Sequence, residues 1–305
     1  MMNPIPCSYD DFPESTAFTE GIIVIPADLG QRSCKIEIDV TYAVKNESPL
    51  HLHIIEPSQG EEEHKLFPLI LYVQGSAWRE QNTGYELSQL ARFARRGYVI
   101  AVVEYRPSSI APFPAQIKDT KTAMRYMINN AMTYHADPSN IFLWGDSSGG
   151  HTALMTGFTL DNPDMEDETY KDEPLSVKAI IDYYGPTDIS KMNDEPSIMN
   201  HILQDSPEGE LIGGVNVLEN MDRVKATVVM NYITEQHEIP PVIIIHGSKD
   251  RFVPFGQSVM LYHKLRQKGK EALCYQLKGA DHGGSAFWTE EIFDIIEKFI
   301  QCSIK

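Results

Sequence analysis

Cysteine is scarce in this chain, and the spacing of its four cysteines excludes the usual roles of that residue. Cys7, Cys34, Cys274 and Cys302 are scattered over 305 residues without a C-x-x-C pair. Zinc and iron–sulfur sites need closely spaced thiols, and disulfide frameworks are typical of small secreted chains. We therefore expect neither a metal centre nor a disulfide scaffold.

Long apolar runs and an excess of basic residues are also missing. No uninterrupted apolar stretch approaches the length of a membrane-spanning helix, and the segment 1–15 lacks the basic and apolar regions of a secretion signal. Lys and Arg number 26 against 43 Asp and Glu, so the net charge is −17. This charge opposes binding to nucleic acid or to an anionic membrane. We expect a soluble, cytoplasmic protein with neither partner.

What the sequence does contain is an alternation of short β-rich runs with amphipathic helices. The strand candidates are Ile22–Ile25, Cys34–Tyr42, Leu69–Val73, Val99–Val103, Ile141–Trp144, Ala179–Tyr183, Val242–His246 and Ala272–Leu277. Several are continuous Val, Ile and Leu runs, which are typical of strands buried on both faces of a parallel sheet. The alternation predicts a single α/β domain over residues 1–305. Its sheet has about eight mostly parallel strands flanked by helices, and the first two strands form an antiparallel edge.

Two stretches interrupt this alternation. Residues 161–174 are acidic and contain proline, so we expect a solvated loop, and the acidic residues lack the spacing of a calcium loop. Residues 189–240 are too long for a plain connection between two strands and contain apolar residues such as Met199 and Leu211. They predict a small helical cap inserted over the carboxyl edge of the sheet. The alternative is a long crossover that touches no substrate.

The sharpest motif is the sequence GDSSG at residues 145–149, which fits the pattern G-x-S-x-G. The strand candidate Ile141–Trp144 precedes it and a helix-compatible stretch follows, as a nucleophile elbow requires. Small residues on both sides of the serine let strand and helix approach at a sharp turn. Ser147 is therefore the candidate nucleophile, and a Gly-rich turn with an idle serine is the alternative.

An elbow serine needs a histidine base and an acid that orients the base, in the chain order Ser, Asp or Glu, His. Asp250 lies just past the strand candidate Val242–His246, and His282 lies in a Gly-rich loop after the last strand candidate. Because such loops share one rim of the sheet, we expect Ser147, Asp250 and His282 to meet there. A turn cap at Asp250 and a surface histidine at 282 are the alternatives. Asp281 is a poorer acid, because a sequence neighbour usually points away from the imidazole nitrogen.

Acyl transfer also needs N–H donors that bind the oxyanion. One is expected at Ser148, directly after the nucleophile, and two more at Ser76 and Ala77, in the loop after a buried strand. The same loop provides the candidate pocket residues Gln74, Gly75 and Trp78. The alternative is a simple turn with a buried tryptophan.

Other polar residues near these motifs have structural interpretations. His151 follows the elbow as a packed helix residue, and His246 ends a buried strand. Asp146 lies inside the elbow, where we expect its backbone to matter more than its side chain.

These motifs together resemble a known superfamily. The blocks that match it are residues 72–78, 104–107, 113–119, 144–151, 182–188, 206–214, 240–247 and 281–283. They resemble the α/β-hydrolase superfamily, in particular esterases related to hormone-sensitive lipase and bacterial acetyl- and feruloyl-esterase-like hydrolases. The resemblance implies the α/β-hydrolase fold, with Ser147 as nucleophile, Asp250 as acid and His282 as base. One departure is that QGSA at 74–77 replaces the usual HGGG. This departure leaves open which residues of the loop donate the N–H groups that bind the oxyanion.

The sequence thus predicts a serine hydrolase that cleaves a carboxylic ester without a metal or organic cofactor. The resemblance implies short-chain acyl, acetyl or feruloyl esters, including those of plant carbohydrate, so the expected ligand is a small-molecule or oligosaccharide ester. Two alternatives stay open. One is an amide-bond hydrolase, a peptidase or a formamidase, with the same residues; the other is a non-catalytic binding protein on the same scaffold.

Overall fold

The computed structural model describes residues 4, 6–28, 30, 32–45, 47–59, 65–167 and 174–304. The chain divides into two compact units, Met1–Gln31 and Arg32–Lys305. The described part of the first unit contains turns and irregular backbone and neither helix nor strand. The strand predicted at 22–25 is therefore wrong. Four consecutive apolar residues have no periodicity, so they do not distinguish a strand from irregular backbone.

The second unit contains an eight-stranded sheet, which confirms the predicted fold class. Its strands are β1 Cys34–Lys45, β2 Ser48–Pro57, β3 Phe67–Val73, β4 Val99–Val103, β5 Ala136–Asp146, β6 Ala179–Tyr183, β7 Val242–Gly247 and β8 Ala272–Leu277. The strand order is β1-β2-β4-β3-β5-β6-β7-β8. β2 pairs antiparallel with β1 and β4, and the remaining neighbours are parallel. An antiparallel edge is present, but β2 rather than residues 22–25 completes it.

Helices cover both faces of the sheet because its central strands are apolar on both faces. The helices are α1 Leu87–Ala94, α2 Ala115–Asn129, α3 Ser148–Phe158, α4 Pro207–Leu211, α5 Met221–Lys225, α6 Gly256–Gln267 and α7 Glu290–Ser303. Leu69 and Leu71 of β3 pack in one cluster with α2, α3 and α6. Ile70 and Tyr72 of the same strand pack in the other with α1 and α7. This alternation is the two-residue period of a strand with two buried faces.

Ionic contacts hold α7 against the end of α1. Arg96, two residues past α1, donates to Asp294 at 2.7 Å and to Glu297 at 2.9 Å, and Arg92 and Arg96 both pair with Glu290. The end of β8 and the start of α7 bound the loop that contains His282. These ion pairs therefore fix the carboxyl-terminal end of that loop.

The segment 161–174 is only partly the solvated loop that its composition predicts. Pro163–Met165 forms a 3₁₀ turn, and Met165 and Glu166 are buried. Glu166 accepts two hydrogen bonds from the Arg125 guanidinium, at 2.9 and 3.0 Å. An acidic residue is thus buried because a cation on a distant helix neutralises it. Residues 168–173 lie outside the described residues.

Residues 189–240, called here the inserted segment, contain α4, α5 and 3₁₀ turns at Ile189–Lys191 and Val229–Tyr232. Its apolar side chains, among them Leu211 and Val217, pack around Trp78, which follows β3. Arg79 donates to both carboxylate oxygens of Glu210 on α4, at 2.7 and 3.0 Å. The apolar cluster around Trp78 and the bidentate ion pair of Arg79 with Glu210 thus attach this segment to the loop after β3.

Candidate active site

Ser147 occupies a strained turn between β5 and α3. Its backbone φ angle of 51° is positive, and residues other than glycine rarely adopt this conformation. The turn is also crowded, because a Cβ at Gly145 would lie 2.2 Å from the Gly149 carbonyl oxygen, and one at Gly149 would lie 1.9 Å from that of Val73. Only glycine fits at these two positions. The turn therefore has the geometry that the G-x-S-x-G motif predicts for a nucleophile elbow.

The structure brings Ser147, His282 and Asp250 into one hydrogen-bonded chain. His282 Nε2 lies 2.9 Å from Ser147 Oγ, and His282 Nδ1 lies 2.6 Å from Asp250 Oδ2. An ionised carboxylate only accepts hydrogen bonds, so Nδ1 must hold the ring proton. Nε2 is then left as the acceptor for the Ser147 hydroxyl. This is the arrangement in which a histidine can remove the serine proton.

Asp250 is held as a buried anion. Burial alone would raise the pKa of this carboxyl, but hydrogen bonds and charge interactions with His246 and His282 outweigh burial and hold the pKa well below its usual range. The other oxygen, Oδ1, accepts the N–H groups of Phe252 at 2.9 Å and Val253 at 2.8 Å. With both oxygens engaged, the carboxylate cannot easily rotate away from the imidazole.

The surroundings of His282 agree with the choice of Asp250 over Asp281. Arg251 donates to the Asp281 carboxylate through its backbone N–H at 3.1 Å and its Nε at 2.7 Å. The Tyr184 ring, centred 4.6 Å from that of His282, packs against the imidazole. Asp281 is thus engaged by a surface arginine, and the imidazole is oriented by packing as well as by Asp250.

The backbone N–H groups of Ala77 and Ser148, the two predicted oxyanion donors nearest this turn, have no acceptor among the described residues. Ser148 opens α3, where the helix dipole favours negative charge. Ser76 is different, because its N–H donates to Ser148 Oγ at 2.9 Å. The prediction that Ser76 is a third oxyanion donor is therefore revised: its N–H is occupied and holds the loop to the elbow.

Asp146 contributes its side chain as well as its backbone, contrary to expectation. One carboxylate oxygen accepts the Tyr72 hydroxyl at 2.7 Å and the Gly75 N–H at 2.9 Å. Burial raises the pKa of this group, and the two hydrogen bonds oppose that effect. Asp146 therefore fixes the loop 74–78 beside the nucleophile, and sequence reasoning missed it because position 146 is a free position in the motif.

A cavity of about 390 Å³ opens above Ser147. The predicted pocket residues Gln74, Gly75 and Trp78 line it, and the inserted segment contributes part of its wall, including Met199, His201 and Glu208. The acidic side chains of the wall are Glu86, Asp146 and Glu208, and burial raises the pKa of Glu86 to about 7. No lysine or arginine of the described chain lines the cavity.

In the part of the chain that the structure describes, no three His, Cys, Asp or Glu side chains are grouped to hold a metal ion, and no helix is long and apolar enough to cross a bilayer. The four cysteines form no disulfide with one another.

Comparison with known proteins finds esterases among the relatives and structural neighbours of this chain. A family model described as BD-FAE matches residues 52–265. Among solved structures, a truncated carbohydrate esterase from gut microbiota is 30% identical with a TM-score of 0.77, and the alignment covers 91% of this chain and 98% of that one. A bifunctional GH43-CE protein of Bacteroides eggerthii is 26% identical with the same TM-score, and the alignment covers 88% of this chain and 38% of that one.

The curated relatives are longer proteins. Esterase LipQ of Mycobacterium tuberculosis is 26% identical over 219 residues, which cover 70% of this chain and 50% of LipQ. Isoprenylcysteine alpha-carbonyl methylesterase ICME of Arabidopsis thaliana is 22% identical over 253 residues, which cover 82% of this chain and 57% of that protein. The chain thus spans about half the length of the curated relatives it matches.

Proposed function

The chain belongs to the BD-FAE family, and on that premise we propose that it is a serine hydrolase of carboxylic esters, with carbohydrate esters as its substrate class. The observation that carries the proposal is the hydrogen-bonded chain from Ser147 through His282 to Asp250, at 2.9 and 2.6 Å. The names of its relatives support ester hydrolysis. The similarity to a carbohydrate esterase from gut microbiota supports a carbohydrate ester.

Acylation begins when Ser147 Oγ attacks the ester carbonyl carbon. The hydroxyl proton passes to His282 Nε2, and the carbonyl electron pair moves to oxygen, where the N–H groups of Ala77 and Ser148 bind the oxyanion. When the tetrahedral intermediate collapses, the bond to the alcohol oxygen breaks. The proton on Nε2 passes to that oxygen, so the alcohol leaves neutral and the acyl group stays on Ser147.

Deacylation repeats the same proton transfers with water. A water molecule gives a proton to His282 Nε2 as its oxygen attacks the acyl carbon, and collapse returns that proton to Ser147 Oγ and releases the acid. Asp250 remains ionised throughout and stabilises the imidazolium that forms twice in each cycle. Its low pKa suits this role, because the carboxylate keeps its charge when the imidazole gains a proton.

The loop 74–78 and the inserted segment are proposed to shape the two substrate pockets. Both line the cavity above Ser147, and the ion pair between Arg79 and Glu210 joins them. On this basis we propose that residues 189–240 act as the cap of the domain.

Replacement of Ser147 tests the proposal. Ser147→Ala is expected to lower kcat for an aryl acetate by at least about 10³-fold and to abolish covalent labelling by a fluorophosphonate, detected by mass spectrometry. Ser88→Ala is the matched control, because Ser88 is exposed on α1. Full turnover by Ser147→Ala would overturn the proposal. Faster cleavage of the matched anilide than of the ester would instead indicate an amide-bond hydrolase.

A further inference from the structure

Glu208 is a buried carboxylate in the cavity wall with one unsatisfied oxygen. Its residue is 3% exposed, and Oε1 lies 2.8 Å from Nδ1 of His201. Oε2 has no hydrogen-bond partner among the described residues. Burying a carboxylate oxygen without a hydrogen-bond donor costs free energy. A bound ligand that donates a hydrogen bond to Oε2 would remove this cost.

The protein holds this carboxylate firmly in place. On the side of His201, Nε2 contacts Ser197 Oγ at 2.9 Å, and the His201 backbone N–H donates to Asn193 Oδ1 at 2.8 Å. On α4, the neighbouring residue Glu210 is fixed by Arg79. Because the ion pair engages Glu210, Glu208 is left as the acidic side chain of α4 that lines the cavity.

From these contacts we propose that Glu208 binds a free hydroxyl of the ester substrate, an inference that rests on the proposed esterase function and specifies its substrate. The cavity wall contains other hydrogen-bonding groups besides the Glu208 carboxylate. Trp78 Nε1 is a buried donor and Gln74 Oε1 a buried acceptor, and neither has a partner within the described chain. A hydroxyl both donates and accepts hydrogen bonds, so it suits such a wall, whereas an ammonium group only donates.

The charge and the size of the cavity restrict the class of ligand further. A carboxylate or phosphate on the substrate would meet the acidic side chains of Asp146 and Glu208, and no lysine or arginine of the described chain lines the wall. About 390 Å³ lies near the lower end of small-molecule pockets. Glu208 thus selects a neutral polyol ester of about the size of one sugar ring, and not an acidic or a purely apolar one.

The test compares two esters that differ in their hydroxyls. A monoacetate of methyl xyloside and cyclohexyl acetate both have six-membered rings, and the wild type should favour the xyloside in kcat/KM by about tenfold or more, the usual effect of a hydrogen bond to a charged group. Glu208→Gln and Glu208→Met should lower that ratio by about tenfold, the Met variant more. Glu219→Gln, an exposed site in the same segment, should leave the ratio unchanged.

The outcomes of this comparison distinguish failure of the proposed Glu208 subsite from failure of the proposed esterase function. A wild-type ratio near one, or a ratio that Glu208 variants do not change, overturns the proposal, and the first of these needs no variant to fold. A gain that appears only for trans-4-aminocyclohexyl acetate would make the subsite cationic and also overturn it. If no ester is turned over, the proposed function fails separately. Calorimetric binding of both esters to Ser147→Ala then still shows whether the hydroxylated ester binds about tenfold tighter, and whether adding Glu208→Gln removes that difference.

Discussion

His246 contacts the carboxylate of Asp250: its Nε2 lies 3.2 Å from Asp250 Oδ2, the oxygen that also faces His282. His246 is completely buried, and its Nε2 also donates to the Val253 carbonyl at 2.9 Å, while Nδ1 lies 2.7 Å from Ser258 Oγ. Two histidines therefore share one carboxylate oxygen, and the inner one is a positioning residue for the acid.

Replacing His246 should disturb catalysis through Asp250. In His246→Gln we expect kcat to fall about tenfold with little change in KM, because the carboxylate loses a donor that holds it in place. The acid limb of the kcat/KM profile should move to higher pH, since Asp250 with one donor fewer stabilises the His282 imidazolium more. His263→Gln, on the exposed face of α6, is the control. An unshifted profile with lost stability would assign His246 a purely structural role.

A methyl group at residue 75 should disable the oxyanion loop. In Gly75→Ala the new Cβ would lie 2.5 Å from the Asp146 carbonyl oxygen and 2.7 Å from Ser147 Cβ, so the loop must move. We expect kcat to drop about 10²-fold, the usual effect of one lost oxyanion donor. In Gly84→Ala the nearest atom to the new Cβ lies 3.7 Å away, so its kcat should match the wild type. Equal rates for both variants would refute this role of the loop.

Stability should fall in mild acid because of His151. Burial lowers the pKa of His151 to about 4 from an ordinary value of 6.5, despite its hydrogen bond to the Thr227 carbonyl. Between these two values the unfolded chain binds a proton that the folded chain does not, so the free energy of unfolding decreases as the pH falls. From pH 7 to pH 5 this group should remove about 2 kcal/mol.

Urea titrations of wild type and His151→Gln at the two pH values check this. The variant should be less stable at pH 7, because a packed hydrogen-bonded ring is lost, and the difference should narrow by pH 5. A difference that stays constant with pH would mean that His151 titrates normally in the folded protein.

The acidic cavity should discriminate against anionic esters. We expect kcat/KM for the acetate of 4-(hydroxymethyl)benzoate to be about tenfold lower than for the acetate of its methyl ester at low salt, because like charges repel in a partly enclosed space. Raising the ionic strength to about 0.5 M should narrow the gap, since salt screens this repulsion. A gap that is absent at low salt would indicate that the cavity is electrically neutral toward its substrate.

Much of the fold could be predicted because apolar runs and strands coincide. Apolar runs identified the buried strands β3 to β7, while β2 escaped because His51, His53 and Glu56 interrupt its apolar sequence. The alternation from Leu50 to His53 is nevertheless the two-residue period of a strand and could have revealed it. Residues 22–25 lacked any such period.

The meeting of Ser147, Asp250 and His282 could be anticipated because each follows a strand end, and neighbouring parallel strands end at one rim. The contacts of Asp146, His246 and Glu208 could not. Each depends on where a loop or short helix places a partner: Gly75 for Asp146, Val253 for His246, and His201 for Glu208. Composition and periodicity do not determine such placements.

The arginines at the end of α1 and their acidic partners on α7 have a consequence for the last part of the chain. The loop that contains His282 is held at both ends, by β8 before it and by α7 after it, and the ion pairs of Arg96 secure α7. Proteolytic loss of the carboxyl-terminal helix would leave this loop attached at β8 only. Because Phe293 and Ile296 of α7 also cover one apolar face of the sheet, the same cut would both displace the loop of His282 and expose the core.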